Sequence, residues 1–235
     1  MLEVGLALGG LLVGTLVYVV LSAIGFLPSE GTLGRAVSMV AGPAITLVAA
    51  LGYRALAKVI DENESPLLGP APVRSDALFT QSPVGTAVVW AVAGIGAAIA
   101  GSYVLGLGLD LLGAPVEEQE GIVELVESFR SGGQIVPLAM LAVSAVVFAP
   151  LAEEFLFRGL LFRRIAARGY SWPEAFALSA GAFAAIHTNP AGFVIYAWLG
   201  VVFAETYRRT GRLWVAVLVH AGNNAFALSL LVWGS

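Results

Sequence analysis

The sequence contains no cysteine and few charged residues. The lack of cysteine excludes disulfides, thiolate nucleophiles and cysteine-ligated metal sites. Only 12% of the 235 residues are charged, whereas a soluble domain carries about 25%. No basic tract suited to nucleic acid is present. Because 58% of the residues are hydrophobic, a chain of this length cannot bury its apolar surface internally, and we predict an integral membrane protein in contact with lipid.

Long apolar runs occur in place of the alternating pattern that membrane β-strands would show. We therefore predict an all-α, polytopic transmembrane helical bundle, because helices satisfy their own backbone hydrogen bonds in lipid. A complete crossing needs roughly 17–25 apolar residues. The sequence predicts about seven spans, of which the fifth and sixth are short for a crossing: 4–27, 36–58, 85–109, 134–164, 173–186, 191–204 and 213–233.

The segments between the spans indicate one domain with one additional helix. Residues 61–76 form a polar loop, and residues 116–130 are acidic with apolar residues at helical spacing. We predict that this acidic stretch is an amphipathic helix at the membrane surface. Residues 1–235 are predicted to form a single integral membrane domain, in which residues 1–112 supply N-terminal spans of unassigned role.

The placement of lysine and arginine predicts the orientation of the chain. With the N-terminus in the cytoplasm, the external loops hold only Arg35 and Arg130, and Arg158 lies inside a span. We therefore predict a cytoplasmic N-terminus and an external C-terminus. The cytoplasmic side then holds the nine remaining basic residues: Arg54, Lys58, Arg74, Arg163, Arg164, Arg168, Arg208, Arg209 and Arg212.

Ionisable residues inside a bilayer are costly and usually functional. Three such residues of this sequence are predicted at similar depths in their spans. A helix rises about 1.5 Å per residue, which puts Glu153 about 15 Å, His187 about 21 Å and His220 about 12 Å from the cytoplasmic side. We expect them to share one layer. The polar residues concentrate in the C-terminal half of the chain: Glu153, Glu154, Arg158, His187, His220 and Asn224.

The adjacent glutamates predict two different roles, because neighbouring helical residues point about 100° apart. Glu154 and Arg158 are four residues apart on one face and are expected to pair. Glu153 then faces elsewhere, as a general base would. Pro150, just before the pair, is expected to break the helix. The non-catalytic alternative is a helix–helix salt bridge with Glu153 protonated.

One carboxylate, two imidazoles and an amide can activate water and stabilise an oxyanion, which is peptide hydrolysis without a covalent intermediate. Alternatively, Glu153, His187 and His220 are the ligand set of a catalytic zinc or another divalent metal, with water as the fourth ligand. The soluble zinc motif HExxH is absent, so both alternatives stay open. For each histidine, a hydrogen-bonded core position is the simpler reading.

Three blocks of the sequence resemble the CPBP (CAAX protease and bacteriocin-processing) family of intramembrane proteases, which includes the Ras-converting CAAX prenyl endopeptidases. The resemblance covers residues 146–228, a CPBP-like catalytic core within the chain. The blocks are a Glu-Glu pair followed by arginine, Phe-x-x-x-His and His-x-x-x-Asn, seen here as Glu153-Glu154 with Arg158, Phe183 with His187, and His220 with Asn224.

The resemblance implies an intramembrane endopeptidase with its active site open toward the cytoplasmic side. Glu153 would activate water and His187 would hold that water, while His220 and Asn224 would stabilise the oxyanion. Glu154 and Arg158 would be supporting residues. Some family members remove the C-terminal tripeptide of prenylated CAAX proteins. The expected partners are therefore membrane lipid and a peptide or prenylated protein substrate.

Two other functions are consistent with a membrane scaffold of this kind. A transporter or proton relay would use Glu153, His187 and His220 to pass protons or bind an ion. Transporters often show paired repeats with polar sites in both halves of the chain. Here the polar residues lie in the C-terminal half only, which argues against a transporter. An inactive adaptor on the same scaffold would not need the complete set of catalytic-type residues.

Overall fold

The computed structural model describes residues 16, 18–27, 31–62, 78–116, 120–187 and 189–234. Every regular element among these residues is helical, which confirms the all-α prediction. The predicted span 4–27 and the polar loop 61–76 lie mostly outside the described residues.

The described helices follow the predicted segments closely. Three of them differ by more than three residues at an end: α1 begins five residues earlier and ends four later than predicted, α3 begins four residues later, and α6 continues six residues beyond its predicted end. The helices are α1 (Gly31–Glu62), α2 (Val84–Leu111), α3 (Glu120–Gly132), α4 (Ile135–Ala167), α5 (Trp172–Ile186), α6 (Phe193–Thr210) and α7 (Leu213–Trp233).

The extension of α6 is stabilised by ion pairs on its surface. Glu205 accepts hydrogen bonds from Arg208 at 2.6 and 2.7 Å and from Arg209 at 2.7 Å, at the i+3 and i+4 positions that face each other on a helix. Burial alone would raise the pKa of Glu205, but the two arginines outweigh it and lower this pKa below its ordinary value. The charged last turns therefore continue the helix.

Four of the described helices are long and apolar enough to cross a membrane: Gly31–Ala49 within α1, and α2, α4 and α7. Of the other predicted spans, α5 has only 15 residues and α6 carries three charges near its end. The two short segments thus form helices that fall below the length or composition of a crossing. The result confirms a polytopic helical membrane protein.

Helix α4 is continuous and contains two π-helical stretches, Ser144–Phe148 and Phe155–Phe162. The break expected at Pro150 does not occur. In the first stretch the Ala149 N–H bonds to the carbonyl of Ser144, five residues back. This wider turn makes room for the proline ring, so that the helix continues through it.

By their contacts, the described helices form two compact units. The first unit contains α1, α3, the part of α4 up to Leu156 and the end of α7 from Ala227. The second unit contains α2, the part of α4 from Phe157, α5, α6 and α7 up to Phe226. The segment 146–228, predicted as a catalytic core, contributes residues to both units.

The core of the first unit is built around α3. Leu125 and Val126 of this helix are buried against Ala36, Leu141 and Val232. The acidic segment therefore forms the predicted amphipathic helix, and its apolar face packs on the protein. Of its acidic residues, Glu127 is exposed, whereas Glu124 is partly buried and pairs with Arg35 at 2.9 Å.

Helix α2 is apolar on all sides, but only small residues of the described helix face the protein interior. Ala87, Ala91, Gly94 and Ala98 are buried and repeat at helical spacing. A Cβ added at Gly94 would lie 2.7 Å from the Thr206 side chain, so a small residue is needed for close packing with α6. The larger side chains face outward: Val84, Val88, Val89, Val92, Tyr103 and Val104.

Candidate active site

Helix α4 carries the glutamate pair and the arginine predicted as site residues. Glu153 is half-buried, whereas Glu154 and Arg158 are fully buried. The two glutamates belong to the first unit and Arg158 to the second. The π-helical turn that contains Arg158 widens the helix there, as is frequent at functional sites. The pairing of Glu154 with Arg158 stays a prediction.

Arg158 is the largest fully buried side chain of the described residues, and the second unit places a carbonyl and aromatic rings around it. Its Nη2 donates a hydrogen bond of 2.8 Å to the Gly200 carbonyl. Its Cζ lies 4.7 Å from the ring centre of Phe183 and 5.2 Å from that of Phe203. Aromatic faces stabilise a cation at such distances. The guanidinium is therefore held in place by α5 and α6.

Gly200 is required for this arrangement. A Cβ added at position 200 would lie 2.8 Å from the Cα of Ala180, which is a backbone atom and cannot move aside. The missing side chain lets α5 and α6 approach closely enough for the Gly200 carbonyl to reach Arg158. Nothing in the sequence distinguishes this glycine from the 27 others.

The Phe183 ring lies at the centre of the residues predicted for the second and third blocks. Its centre is 4.7 Å from the His187 ring and 5.8 Å from the His220 ring. Together with the Arg158 contact, this phenylalanine brings three predicted site residues together. The phenylalanine of the Phe-x-x-x-His block is therefore the common packing partner of the site.

His187 ends α5 and has a defined tautomer. Its Nδ1 lies 2.8 Å from the Phe183 carbonyl, which can only accept a hydrogen bond, so Nδ1 carries the proton. Nε2 of the neutral ring then presents a lone pair. The Tyr196 ring stacks on the imidazole with centres 4.1 Å apart and planes 20° apart. Sequence reasoning assigned no role to this tyrosine beyond the apolar segment that contains it.

His220 lies in α7 and is 4% exposed. Its imidazole stacks on Phe203, with ring centres 4.6 Å apart and planes 17° apart. Asn224 follows one turn later on the same helix. Asn223 Nδ2 donates to Asn224 Oδ1 at 3.4 Å, which directs the Asn224 NH₂ group away from Asn223. An imidazole and an amide donor are thus placed one turn apart on α7.

The second unit therefore brings together Arg158, His187 and His220 around Phe183, with Asn224 one turn beyond His220. Histidines close to one another with defined orientations can bind a water molecule and donate to a developing negative charge. Across the described residues, no three histidine, aspartate or glutamate side chains are grouped closely enough to hold a metal ion. The metal site predicted from Glu153, His187 and His220 stays a prediction, because Glu153 belongs to the first unit and both histidines to the second.

Two comparisons relate the chain to known proteins. Residues 135–226 match the family model described as type II CAAX prenyl endopeptidase Rce1-like. The chain is also 31% identical over 153 residues to the Bacillus subtilis (strain 168) protein named "Putative membrane peptidase YdiL". This match covers 62% of the chain and 57% of that protein, so the chain spans little more than half of the length of its curated relative. No solved structure matches the chain.

The region that matches the family model contains all three sequence blocks, from Glu153 through His187 to Asn224. It also contains Gly200 and Tyr196, which complete the surroundings of Arg158 and His187. Residues 135–226 of the chain are therefore similar to the family described as type II CAAX prenyl endopeptidase Rce1-like.

Proposed function

We propose that the chain is an intramembrane endopeptidase that hydrolyses a peptide bond with a water molecule activated by Glu153. The observation that carries this proposal is the meeting of Arg158, His187 and His220 around Phe183 within a region that matches a peptidase family. A structural role alone would not need two histidines and a buried arginine on one aromatic ring.

In the proposed reaction, Glu153 accepts a proton from water as the water oxygen attacks the carbonyl carbon of the substrate. The lone pair on His187 Nε2 accepts the second hydrogen of that water and orients it. His220 and the Asn224 NH₂ group donate hydrogen bonds to the oxyanion. When the C–N bond breaks, the proton held by Glu153 passes to the leaving amine. Glu154 and Arg158 support the glutamate and the aromatic frame.

The substrate that we propose is the C-terminus of a prenylated CAAX protein, from which a tripeptide is removed. This part of the proposal draws on the description of the matching family and on the membrane location of the chain. A lipidated peptide enters the bilayer through its prenyl chain and would reach the site within the membrane. Membrane lipid is thus part of the environment in which the substrate is bound.

The reaction is proposed without a metal ion. In this form of the reaction Glu153 and His187 activate the water themselves, so that no Lewis acid is required. A chelator is therefore expected to leave the rate unchanged. If chelation abolished cleavage and zinc restored it, the metal alternative with Glu153, His187 and His220 as ligands would replace this mechanism.

The test is cleavage of a farnesylated CAAX peptide by purified protein in detergent, followed by mass spectrometry of the released fragment. Glu153→Gln is expected to lower the turnover rate by about 10²–10⁴-fold, because it removes the general base. The matched control is Glu124→Gln, since Glu124 is a partly exposed carboxylate that pairs with Arg35 at 2.9 Å. That control should keep the wild-type rate.

The three outcomes separate the parts of the proposal. Release of a tripeptide by the wild type and the control, but not by Glu153→Gln, supports both the reaction and the substrate. Normal turnover in folded Glu153→Gln would show that Glu153 is not the base. A folded wild type that cleaves neither the farnesylated peptide nor its unprenylated form would remove the CAAX substrate and favour the adaptor.

A further inference from the structure

We propose that Tyr196 is a positioning residue that holds His187 in one orientation and one tautomer. The proposal rests on the peptidase function above, in which His187 Nε2 orients the water. Tyr196 lies outside the three sequence blocks, nine residues after His187. Its ring nevertheless makes the closest aromatic contact of His187, with centres 4.1 Å apart and planes 20° apart.

The imidazole of His187 is held by contacts of three kinds. Tyr196 covers one face of the ring, and Phe183 contacts it at 4.7 Å with a tilt of 53°. The hydrogen bond from Nδ1 to the Phe183 carbonyl fixes which nitrogen carries the proton. A rotation of the ring by half a turn would break that bond. Stacking on Tyr196 opposes tilting of the ring, which would lengthen the bond.

The turn between α5 and α6 places Tyr196 over the histidine. Asn189 Oδ1 accepts a hydrogen bond of 3.0 Å from the Gly192 N–H and closes the turn. The Tyr196 N–H then donates to the Gly192 carbonyl at 3.0 Å in the first turn of α6. A Cβ added at Gly192 would lie 2.8 Å from Cε2 of Tyr196, so the glycine provides the space for the tyrosine ring.

The function of this arrangement follows from the chemistry of a neutral imidazole. Only the nitrogen without a proton accepts a hydrogen bond from water. If the tautomer or the ring orientation changed, Nε2 would carry a proton or point elsewhere. Misplacing a catalytic group by about 1 Å can cost on the order of 10²-fold in rate. Loss of the Tyr196 ring should therefore reduce turnover more than substrate binding.

The first test uses ¹⁵N-histidine labelling and NMR in detergent at mildly alkaline pH. The chain has only two histidines, and His220→Asn assigns the signals of the remaining one. We expect His187 in the wild type to be a single Nδ1–H tautomer, and Tyr196→Leu to give a mixture of tautomers. An Nε2–H tautomer in the wild type, or an unchanged tautomer in Tyr196→Leu, would overturn the proposal.

The second test is kinetic and uses the farnesylated peptide. Tyr196→Leu should lower kcat about tenfold or more while KM changes less than about twofold, and Tyr196→Phe should restore most of kcat because it keeps the ring. The control is Tyr103→Leu, which removes a tyrosine that is 74% exposed on α2 of the same unit. Equal kcat in the Leu and Phe variants would contradict the role of the ring.

A third variant keeps the proposal decisive if Tyr196→Leu fails to fold. Tyr196→Met has a flexible side chain that fills the space without a planar ring, and it is expected to give the same mixed tautomers. The NMR result does not depend on cleavage. A wild type with the expected tautomer but no peptidase activity would leave the positioning by Tyr196 intact and reject the proposed function.

Discussion

At the residue scale, Arg158 shows how a cation is accommodated in an apolar core. The planar guanidinium donates to a carbonyl and lies over aromatic rings at the same time, which a lysine ammonium could not do in the same way. Besides the ring of Phe157 on its own helix, both kinds of partner are supplied by α5 and α6, 25 to 45 residues later in the sequence. The sequence predicted a partner for Arg158 only on its own helix.

The contacts of Arg158 predict a large effect of its removal on stability. Arg158→Ala should lower the free energy of unfolding by about 3–5 kcal/mol, because it removes a buried hydrogen bond to the Gly200 carbonyl and leaves a large cavity beside Phe183. Thermal unfolding in detergent measures the change. The control is Arg168→Ala at the exposed end of the same helix, which should change stability by less than about 0.5 kcal/mol. Similar stabilities of the two variants would contradict the structural role of Arg158.

At the element scale, the close approach of α5 and α6 determines where the second unit presents its polar groups. The crossing occurs at Gly200 and Ala180, where the backbones are in contact. The carbonyl that binds Arg158 lies at this crossing, and the two helices also carry Phe183 and Phe203. The distance between the helices thus controls the geometry of the site.

A pair of glycine substitutions tests this dependence. Gly200→Ala should cost about 1–3 kcal/mol of stability, because its Cβ would lie 2.8 Å from the Ala180 Cα. It should also lower the proposed peptidase activity by moving the carbonyl away from Arg158. Gly181→Ala is the matched control in α5, since a Cβ there meets no atom within 4 Å. It should stabilise the helix by about 0.5–1 kcal/mol. Tolerance of Gly200→Ala at full activity would contradict the close crossing.

The same two elements show what the sequence could and could not predict. The lengths of the apolar runs and the positions of the charges predicted α7 at 213–233 correctly. They also predicted most ends of the other described helices to within three residues, because an apolar run is a local property of the sequence. The partners of His187 and Arg158 were not predictable, because Tyr196, Phe203 and Gly200 are ordinary residues of an apolar segment until the helices pack. The continuity of α4 through Pro150 was missed because a π-helical turn leaves no local sequence signal.

At the scale of the whole molecule, the surface of the described helices is apolar where a soluble protein would be polar. Large side chains such as Val104, Leu111 and Ile135 are more than 60% exposed. Their exposure is favourable only if lipid surrounds these helices. The orientation of the chain in that lipid is predicted by the distribution of arginine and stays a prediction.

Cysteine labelling tests this orientation directly, because the native chain has no cysteine and gives no background. The substitutions Arg168→Cys, after α4, and Ser131→Cys, near the end of α3, place single thiols at exposed positions on opposite predicted sides of the membrane. With a membrane-impermeant maleimide, Ser131→Cys should be labelled in intact spheroplasts and Arg168→Cys only after lysis. The arginine-rich side would then face the cytoplasm, because basic residues are retained on that side during insertion. The reverse labelling pattern would place the N-terminus outside and would open the proposed active site to the external face.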